Sequence, residues 1–297
     1  MNLVIGGRGS LTVAVRHNVG LFFLFLQPIL LYNKPMPKQG LKKIEEIIQL
    51  SKADLHIHSN YSDGAPSVEE ILDYVEHYTD LDVIAITDHD TLEGSLKAQT
   101  LTKEKNYRFE LIVGEEISSQ QGHILGLFLK EKIEPGLSAH EVLLQIKKQG
   151  GIAIASHPFV RTKWKNPLII IMNGVGLATL INERTLFDAV EIVNATPTLG
   201  EENIRADFIN KTVLFRGETG SSDVHILAAI GKGYTLFEGK TAGDLHYALK
   251  HHQTKAMFSK WTLLALFKYI YFFIPLGLRI GFYTFMHRND EKKLQSK

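Results

Sequence analysis

Short apolar segments alternate with segments of helical character through the middle of the chain, and this alternation restricts the fold more than any other feature. It extends from about residue 52 to residue 253 of the 297 residues. Strands that are joined by helices of this length run parallel within one sheet. The sequence therefore predicts an α/β fold with a parallel sheet that closes into a barrel or a distorted barrel. The predicted strands are Ala53–His58, Asp82–Asp88, Phe109–Ser118, His123–Phe128, Gly151–Pro158, Ala189–Ala195 and one within Thr212–His225.

Two of the helices between these strands have clear start signals. Ser67 and Ser138 are each followed three residues later by a glutamate, which is the pattern of a capping box. Further helices are predicted near residues 92–105, 176–183, 201–210 and from 241 onward. No repeat or linker divides this region of the sequence, so we expect a single domain over residues 52–253.

The composition limits the chemistry that this domain can perform. The chain contains no cysteine, so a metal site has to use histidine and carboxylate ligands. Lysine and arginine number 33 against 32 aspartate and glutamate, which gives a formal net charge of +1. That balance lacks the overall positive charge with which proteins bind long nucleic acids. Small phosphorylated molecules and short nucleic acids are the candidate partners, and the sequence indicates no protein partner.

Histidines and acidic residues collect where the predicted strands end. Parallel strands place their C-terminal ends at one mouth of a barrel, which is where the catalytic residues of such barrels lie. His56 and His58 are separated by one residue on a strand, so both side chains point to the same face. We therefore predict a cluster of two or three divalent cations bridged by carboxylates at this mouth. The predicted ligands are His56, His58, Asp63, His89, Glu116, His123, His157, Asp223 and His225.

The third strand carries two neighbouring glutamates, whose side chains point to opposite faces. Alternation puts Glu116 on the same face as the small residue Gly114. It puts Glu115 on the same face as Leu111 and Val113, which are large and apolar. A crowded metal site needs small neighbours, so the pattern favours Glu116 as the ligand and leaves Glu115 as the alternative.

Six short motifs follow one another through this region, namely HIHSNYSDG, AITDHDTLEG, GEEIS, GHILGL, ASHP and GSSDVH. In this order they resemble the PHP (polymerase and histidinol phosphatase) family, and the resemblance covers about residues 53–253. It implies a distorted (β/α)7 TIM-like barrel with a site for two or three metal ions, and hydrolysis of phosphoesters. The apolar N-terminal and C-terminal segments of the chain lie outside it.

The resemblance also implies how the ligands divide among the ions. The implied groups are His56, His58 and Asp223 for the first ion, His123 and His157 for the second, Asp63, His89 and His225 for the third, and Glu116 as the bridge between the first two. Mn, Fe or Zn suits such ligands better than Mg. Asp88 and Asp90 are candidates for orienting the ligands, and Asn194 is a candidate for orienting them or for binding substrate.

We expect from these features a metal-dependent phosphoesterase that hydrolyses a small phosphate ester with a metal-activated water. A nucleotide or short oligonucleotide phosphate is the favoured substrate, and histidinol phosphate or a sugar phosphate is the alternative. Similar metal clusters also cleave amides and lactones. An alternative of another class is a membrane-docked module that binds metal or nucleotide without catalysis.

Catalytic roles are predicted for His58, Asp63 and His225 within the cluster, and for Arg161 beside it. Arg161 follows His157 in the stretch PFVRTKWKN, and its guanidinium can bind two phosphate oxygens at once. A solvated basic loop is the alternative interpretation of this stretch.

The N-terminal end of the chain differs from the predicted domain. Residues 19–32 read VGLFFLFLQPILLY, which is shorter than the roughly 20 apolar residues of a membrane span and contains a proline. We interpret residues 1–51 as a leader or an upstream extension.

The C-terminal end, residues 254–297, is a second segment of different character. Residues 261–285 are apolar and aromatic but include Lys268 and Arg279. Two charges favour a helix that lies in a membrane interface, or that packs on the domain, over one that spans a bilayer. We expect a cytoplasmic protein, with attachment to a membrane surface through this segment as the alternative.

Overall fold

Two compact units make up the chain, Met1–Ile48 and Gln49–Lys297. The computed structural model describes residues 4–6, 10–12, 50–161, 173–272 and 278. In the first unit these residues form a small antiparallel pair of strands, β1 (Val4–Gly6) and β2 (Ser10–Thr12). The apolar stretch 19–32 lies outside the described residues, so the predicted leader stays a prediction.

The second unit is built on one sheet, which contains nine strands among the described residues. The strands are β3 (Leu50–Ile57), β4 (Val83–Ile86), β5 (Glu110–Ser119), β6 (Gly122–Leu127), β7 (Ile152–Ala155), β8 (Ala189–Asn194), β9 (Gly217–Ser221), β10 (Gly233–Glu238) and β11 (Lys255–Phe258). Their order across the sheet is β11-β10-β3-β4-β5-β6-β7-β8-β9. The strands from β3 to β9 therefore follow one another in chain order.

The sheet bends round until β3 and the end of β9 meet. Val224, which follows β9, forms a parallel bridge with Ile57 at the end of β3. The backbone N–H of His58 donates to the carbonyl oxygen of Val224 at 3.0 Å. The result is a nearly closed barrel with helices, which confirms the predicted α/β class and the distorted (β/α)7 TIM-like barrel.

The predicted parallel sheet is present only in part. The strands β3, β4 and β5 are parallel, as are β7, β8 and β9, but β6 is antiparallel to both of its neighbours. Only Gln120 and Gln121 separate β5 from β6, and a connection of two residues can join only antiparallel strands. The strand β10 is also antiparallel, both to β3 and to β11.

Helices connect most of the strands, and the start signals of two of them were readable in the sequence. They are α1 (Val68–Tyr78), α2 (Glu93–Lys105), α3 (Ala139–Lys148), α4 (Gly176–Asn182), α5 (Gly200–Ile209) and α6 (Ala242–Lys250). The predicted capping boxes of Ser67 and Ser138 are both present. In α1, the residues Val68, Ile71 and Val75 recur at helical spacing and are buried against the sheet, so that helix is held by its apolar face.

The seventh predicted strand begins later than Thr212. Asn210–Leu214 is a π-helical turn, and β9 starts only at Gly217. The side chain of Asn210 fixes this turn, because it accepts a hydrogen bond from the N–H of Arg216 and donates one to the carbonyl oxygen of the same residue.

The chain continues past β11 as a further helix, residues 263–272, which we call α7. Thr262 caps its start, since its hydroxyl oxygen accepts a hydrogen bond from the N–H of Ala265 at 3.1 Å. Of the apolar segment 261–285, the described residues are 261–272 and 278. Within the parts of the chain that the structure describes, no helix has the length and apolarity that crossing a bilayer requires.

Candidate metal centre

The nine predicted ligand residues lie together at one end of the barrel. Eight of them lie at or after the C-terminal ends of β3, β4, β5, β7 and β9, and these are His56, His58, Asp63, His89, Glu116, His157, Asp223 and His225. His123 lies instead near the start of β6. Because β6 runs antiparallel to its neighbours, its start shares the same end of the barrel. The antiparallel strand therefore brings His123 to the cluster.

The carboxylate of Glu116 lies at the centre of the cluster. Its Oε2 atom is 3.0 Å from Nε2 of His56 and 3.3 Å from Nε2 of His58. Its Oε1 atom is 3.1 Å from Nδ1 of His123 and 3.1 Å from Nε2 of His157. One carboxylate thus reaches histidines on two sides, which is the position that a bridging ligand requires.

Glu115 lies on the other face of β5, away from the histidines. Its Oε2 atom accepts a hydrogen bond from the N–H of Ile133 at 3.1 Å. Burial raises the pKa of Glu115 to about 7. The structure therefore brings Glu116, and not Glu115, into the cluster.

Two aspartates occupy different depths of the cluster. The Oδ1 atom of buried Asp223 lies 3.3 Å from Nε2 of His58 and 3.6 Å from Nε2 of His56. The Oδ2 atom of Asp63 lies 3.1 Å from Nε2 of His225, and the Asp63 side chain is 31% exposed. The edge formed by Asp63 and His225 is therefore the side from which solvent reaches the cluster.

Two of these residues have a backbone conformation that side chains other than glycine seldom adopt. The φ angle is 49° at Asp223 and 25° at His157. Such conformations cost on the order of 1–3 kcal/mol each and are concentrated at functional sites. Here they turn each side chain into the cluster directly after its strand ends.

Glu191 is a buried acidic residue that the sequence analysis missed. Its Oε1 atom lies 3.0 Å from Nδ1 of His56 and accepts a hydrogen bond from the Ser221 hydroxyl at 2.5 Å. Its Oε2 atom accepts a hydrogen bond from the N–H of His157 at 2.7 Å. A carboxylate that binds the far nitrogen of an imidazole fixes its tautomer and leaves the near nitrogen free to bind a metal. A charged residue inside the apolar strand AVEIVN is the sequence signal that would have identified it.

Asn194 and Asp90 support the cluster from outside. The side-chain amide of Asn194 donates to Oδ2 of Asp223 at 2.8 Å and to Oε2 of Glu191 at 3.0 Å. Asp90 accepts a hydrogen bond from the N–H of Ser118 at 2.7 Å, at the end of β5. Both side chains therefore bind protein groups and orient the segments that carry the cluster.

Asp88 holds the loop that carries Asp63. Its carboxylate accepts hydrogen bonds at 2.7 Å from the N–H and the hydroxyl of Ser59, and from the hydroxyl of Ser62. A Cβ atom at Gly94 would lie 2.2 Å from Oδ2 of Asp88, so the start of α2 can approach this carboxylate only with glycine there. Asp88 and Gly94 are thus required for the packing around the cluster.

The charges within the cluster compensate one another. Burial lowers the pKa of His58, but the carboxylates of Asp223 and Glu116 outweigh it and raise that pKa to about 10. Burial raises the pKa of Glu116, yet the neighbouring histidines, His56 first, hold it well below its usual range. Burial lowers the pKa of His89 to about 3, so this imidazole is neutral. The ionised carboxylates therefore need positive charge beside them, and divalent cations supply such charge in exchange for protons.

The unpaired nitrogens of the cluster also fit metal ions. Within the described part of the chain, buried ring nitrogens without a hydrogen-bond partner include Nδ1 and Nε2 of His58 and Nδ1 of His89, His123 and His157. A buried polar atom without a partner lowers the stability of the folded protein. A bound metal ion would supply the missing partner. Atoms that each lie about 2.0–2.2 Å from one ion are about 3.0–3.4 Å apart, depending on its geometry. The separations at the centre of the cluster match this spacing, so the residues present fit divalent cations.

The possible ligand sets overlap. Among the residues that the structure describes, five groups of three have ligand atoms within 4.8 Å of one another. These groups are His56, His157 and Asp223; His56, His58 and Glu116; His58, Asp223 and His225; His58, Asp63 and His89; and His89, Glu116 and His123. Shared members favour a cluster of ions over a single ion. The groups differ from the division implied by the family resemblance, because His157 also joins His56, and His58 also joins Asp63.

Arg161 follows His157 along the chain and lies beside the cluster. It forms an antiparallel bridge with Asn173, whose carbonyl oxygen accepts a hydrogen bond from the N–H of His123 at 2.7 Å. The exposed guanidinium of Arg161 lies against Gly176 at the start of α4. Its role as a phosphate clamp stays a prediction, and its neighbours Lys163, Trp164 and Lys165 lie outside the described residues.

The amino-acid sequence is similar to that of a known protein family and of individual proteins. A model of the PHP domain family matches residues 54–263. An uncharacterised protein of Methanocaldococcus jannaschii is 42% identical over 119 residues, which are 36% of this chain and 68% of that protein. A Haemophilus influenzae protein named 5′-3′ exoribonuclease is 40% identical over 101 residues, but these are only 33% of this chain and 34% of the exoribonuclease.

A solved structure shows the same fold. It is a two-domain protein of Bacteroides vulgatus described as containing a predicted PHP-like metal-dependent phosphoesterase, and it matches with a TM-score of 0.54 at 20% identity. The match covers 71% of this chain, which spans 65% of the length of that protein. At this level of identity the likeness establishes the barrel fold.

Proposed function

The chain belongs to the PHP domain family, a family of metal-dependent phosphoesterases, and from this premise we propose that it hydrolyses a small phosphate ester at the candidate metal centre. We assign His56, His58, Asp63, His89, Glu116, His123, His157, Asp223 and His225 as ligands of two or three divalent ions. Mn, Fe or Zn is the expected metal, because imidazole and carboxylate ligands suit these ions. The observation that carries the proposal is the Glu116 carboxylate, which lies within 3.3 Å of ring nitrogens of five histidines.

The metal ions and the residues around them would have different roles in the reaction. When bound, the divalent ions supply a water of lowered pKa and neutralise charge on the phosphoryl oxygens. Glu191 and Asn194 hold His56 and Asp223 in fixed orientations, so the ligand atoms need little rearrangement. Water is excluded from the buried side, where His56 and Glu116 lie.

Asp63 and His225 belong to the side where substrate enters. Their carboxylate and imidazole are 3.1 Å apart at the solvent-exposed edge. As ligands, the two side chains would hold an ion at this edge, and that ion would neutralise charge on a leaving oxygen. We therefore propose that this pair faces the leaving group. His58 lies between this edge and the buried side, 3.7 Å from Asp63 and 3.3 Å from Glu116.

A nucleotide or a short oligonucleotide is the favoured substrate. The exoribonuclease name of the Haemophilus influenzae relative supports a phosphodiester of RNA, although that relative is similar over only a third of its length. The net charge of +1 favours a short substrate over a long nucleic acid. Arg161, beside the mouth, is proposed to bind the phosphate. Histidinol phosphate or a sugar phosphate is the alternative substrate.

The test is turnover of a substrate panel by the full chain, with Mn²⁺, Fe²⁺ or Zn²⁺ added in turn. The panel contains 5′-phosphorylated RNA oligonucleotides, mononucleotides, histidinol phosphate, sugar phosphates, and an amide and a lactone. We expect release of nucleotide or phosphate by the wild type and its loss in His58→Ala. The matched control is Glu115→Gln, which alters a buried carboxylate on the other face of β5 and should retain turnover. Cleavage of the amide or lactone alone, or equal turnover by His58→Ala, would contradict the proposal.

A further inference from the structure

The helix α7 presents an apolar face to solvent. Leu263, Leu264, Phe267, Ile270 and Tyr271 are each between 50% and 88% exposed. On a helix with 3.6 residues per turn these positions fall on one side, with Lys268 at its border. Contiguous exposed apolar surface of this kind marks a binding site for a protein or a membrane.

The opposite face of α7 is fixed to the barrel beside the metal centre. Just before the helix, the indole N–H of Trp261 donates to the carbonyl oxygen of Ala195 at 3.0 Å. The hydroxyl of Tyr269 is hydrogen-bonded to Thr196, and burial and the nearby Asp223 carboxylate raise the pKa of this phenol. The rings of Trp261 and Tyr269 meet edge to face with centroids 5.3 Å apart. The exposed face is therefore held on a helix that is anchored next to Asp223.

The segment that contains α7 is strongly basic. Residues 254–297 include eight lysines and arginines against two aspartates and glutamates. The whole chain has 33 against 32, so residues 1–253 carry 25 against 30 and are net acidic. The excess of positive charge thus belongs to the part of the sequence that contains α7, and Lys255, Lys260 and Lys268 are its basic residues within the described part of the chain.

We propose that α7 docks on an anionic lipid surface through its outer face, with the mouth of the metal centre held close to that surface. Apolar and aromatic side chains beside lysines are the features of helices that lie in a membrane interface. Anionic lipids attract basic segments that lie near the surface. A second copy of the chain is a poorer occupant, because a symmetric contact would bring two basic segments together.

The experiment measures sedimentation of the full chain with vesicles of phosphatidylcholine alone and of phosphatidylcholine mixed with phosphatidylglycerol. The test variant combines Leu263→Ser, Phe267→Ser and Tyr271→Ser. The matched control combines Ile204→Ser and Phe208→Ser on α5, which are 74% and 62% exposed and lie outside α7. Light scattering without lipid gives the mass of each protein in solution, and circular dichroism shows that each is folded.

We expect the wild type and the α5 control to sediment with the anionic vesicles at least about tenfold more strongly than with the neutral ones. Added NaCl should weaken this binding, since salt screens charge. The α7 variant should lose it and remain folded. Failure of the wild type to bind anionic vesicles overturns the proposal, and so does equal binding to both vesicle types. A wild-type dimer that the α7 variant converts to a monomer, without vesicle binding, identifies a second copy as the occupant instead.

Discussion

Replacing Glu191 by glutamine tests whether the metal centre depends on a residue that is not one of its proposed ligands. The Glu191 carboxylate accepts from four donors, which are Nδ1 of His56, the N–H of His157, the amide of Asn194 and the hydroxyl of Ser221. A glutamine side chain has one acceptor oxygen and one NH₂ group in place of two acceptor oxygens. Either orientation of the amide therefore points NH₂ hydrogens at two donors of the protein.

Both orientations of the glutamine amide weaken the metal centre, but they do so by the loss of different hydrogen bonds. With the amide oxygen towards His56, the donors of His157 and Asn194 lose their acceptor. With the NH₂ group towards His56, its Nδ1 must accept a hydrogen bond, so the proton moves to Nε2, the nitrogen that faces Glu116. Each stranded buried donor costs about 1–3 kcal/mol of stability. Loss of a partner that orients a metal ligand typically costs about 10–100-fold in metal affinity, or about 1.4–2.7 kcal/mol.

We therefore expect Glu191→Gln to bind Mn²⁺ or Zn²⁺ about 10–100-fold more weakly, measured by competition with a chromogenic chelator. Urea unfolding of the metal-free protein should show a loss of at least about 1 kcal/mol, and of up to about 6 kcal/mol where two donors are stranded. Glu115→Gln is the control, because its single hydrogen bond from Ile133 can be kept by the amide oxygen. Wild-type metal affinity in Glu191→Gln, or an equal loss in Glu115→Gln, would refute the reasoning.

Three further predictions follow from the same structure. Burial raises the pKa of Glu115 to about 7 in the folded state, so its protonated form is favoured there, and its contribution to stability is complete below the unfolded pKa of about 4.5 and lost as the pH rises through 7. Glu115→Gln should therefore match the wild type in urea unfolding at pH 4 and exceed it by up to about 3 kcal/mol at pH 9, whereas equal stability at both would count against this burial effect. Chelation should lower the thermal midpoint of the wild type, because ions at 100 times their Kd stabilise the folded state by about 2.7 kcal/mol, and an unchanged midpoint would argue against bound ions. Arg161→Ala should raise KM for the phosphate ester by about tenfold or more with Arg161→Lys intermediate, and an unchanged KM would leave this side chain without a role in phosphate binding.

Local signals made most of the fold predictable. Strand and helix positions follow from the spacing of apolar residues, and the starts of α1 and α3 follow from capping boxes that involve residues three apart. The antiparallel direction of β6 was not predicted, because the spacing of apolar residues within a strand does not show the direction of that strand in the sheet. The two residues between Ser119 and Gly122 carried the missing information, since no crossover helix fits there.

The candidate metal centre could likewise be predicted in part. Its nine proposed ligands could be named because histidine and carboxylate side chains at strand ends are chemically distinctive. The pairing of Glu191 with His56 could not be predicted, because the two residues lie 135 positions apart in sequence and meet only once the barrel has closed. The approach of Tyr269 to the same region depends likewise on how α7 packs, which no local pattern specifies.

We propose above all that this barrel holds a cluster of divalent ions that performs phosphoester hydrolysis. The most direct measurement is the metal content of the purified full chain by elemental analysis, combined with p-nitrophenyl phosphate turnover before and after chelation. We predict two or three equivalents of Mn, Fe or Zn, with turnover lost on chelation and restored by the metal. Absence of bound metal under every ion supplied, or turnover that survives its complete removal, would contradict the account.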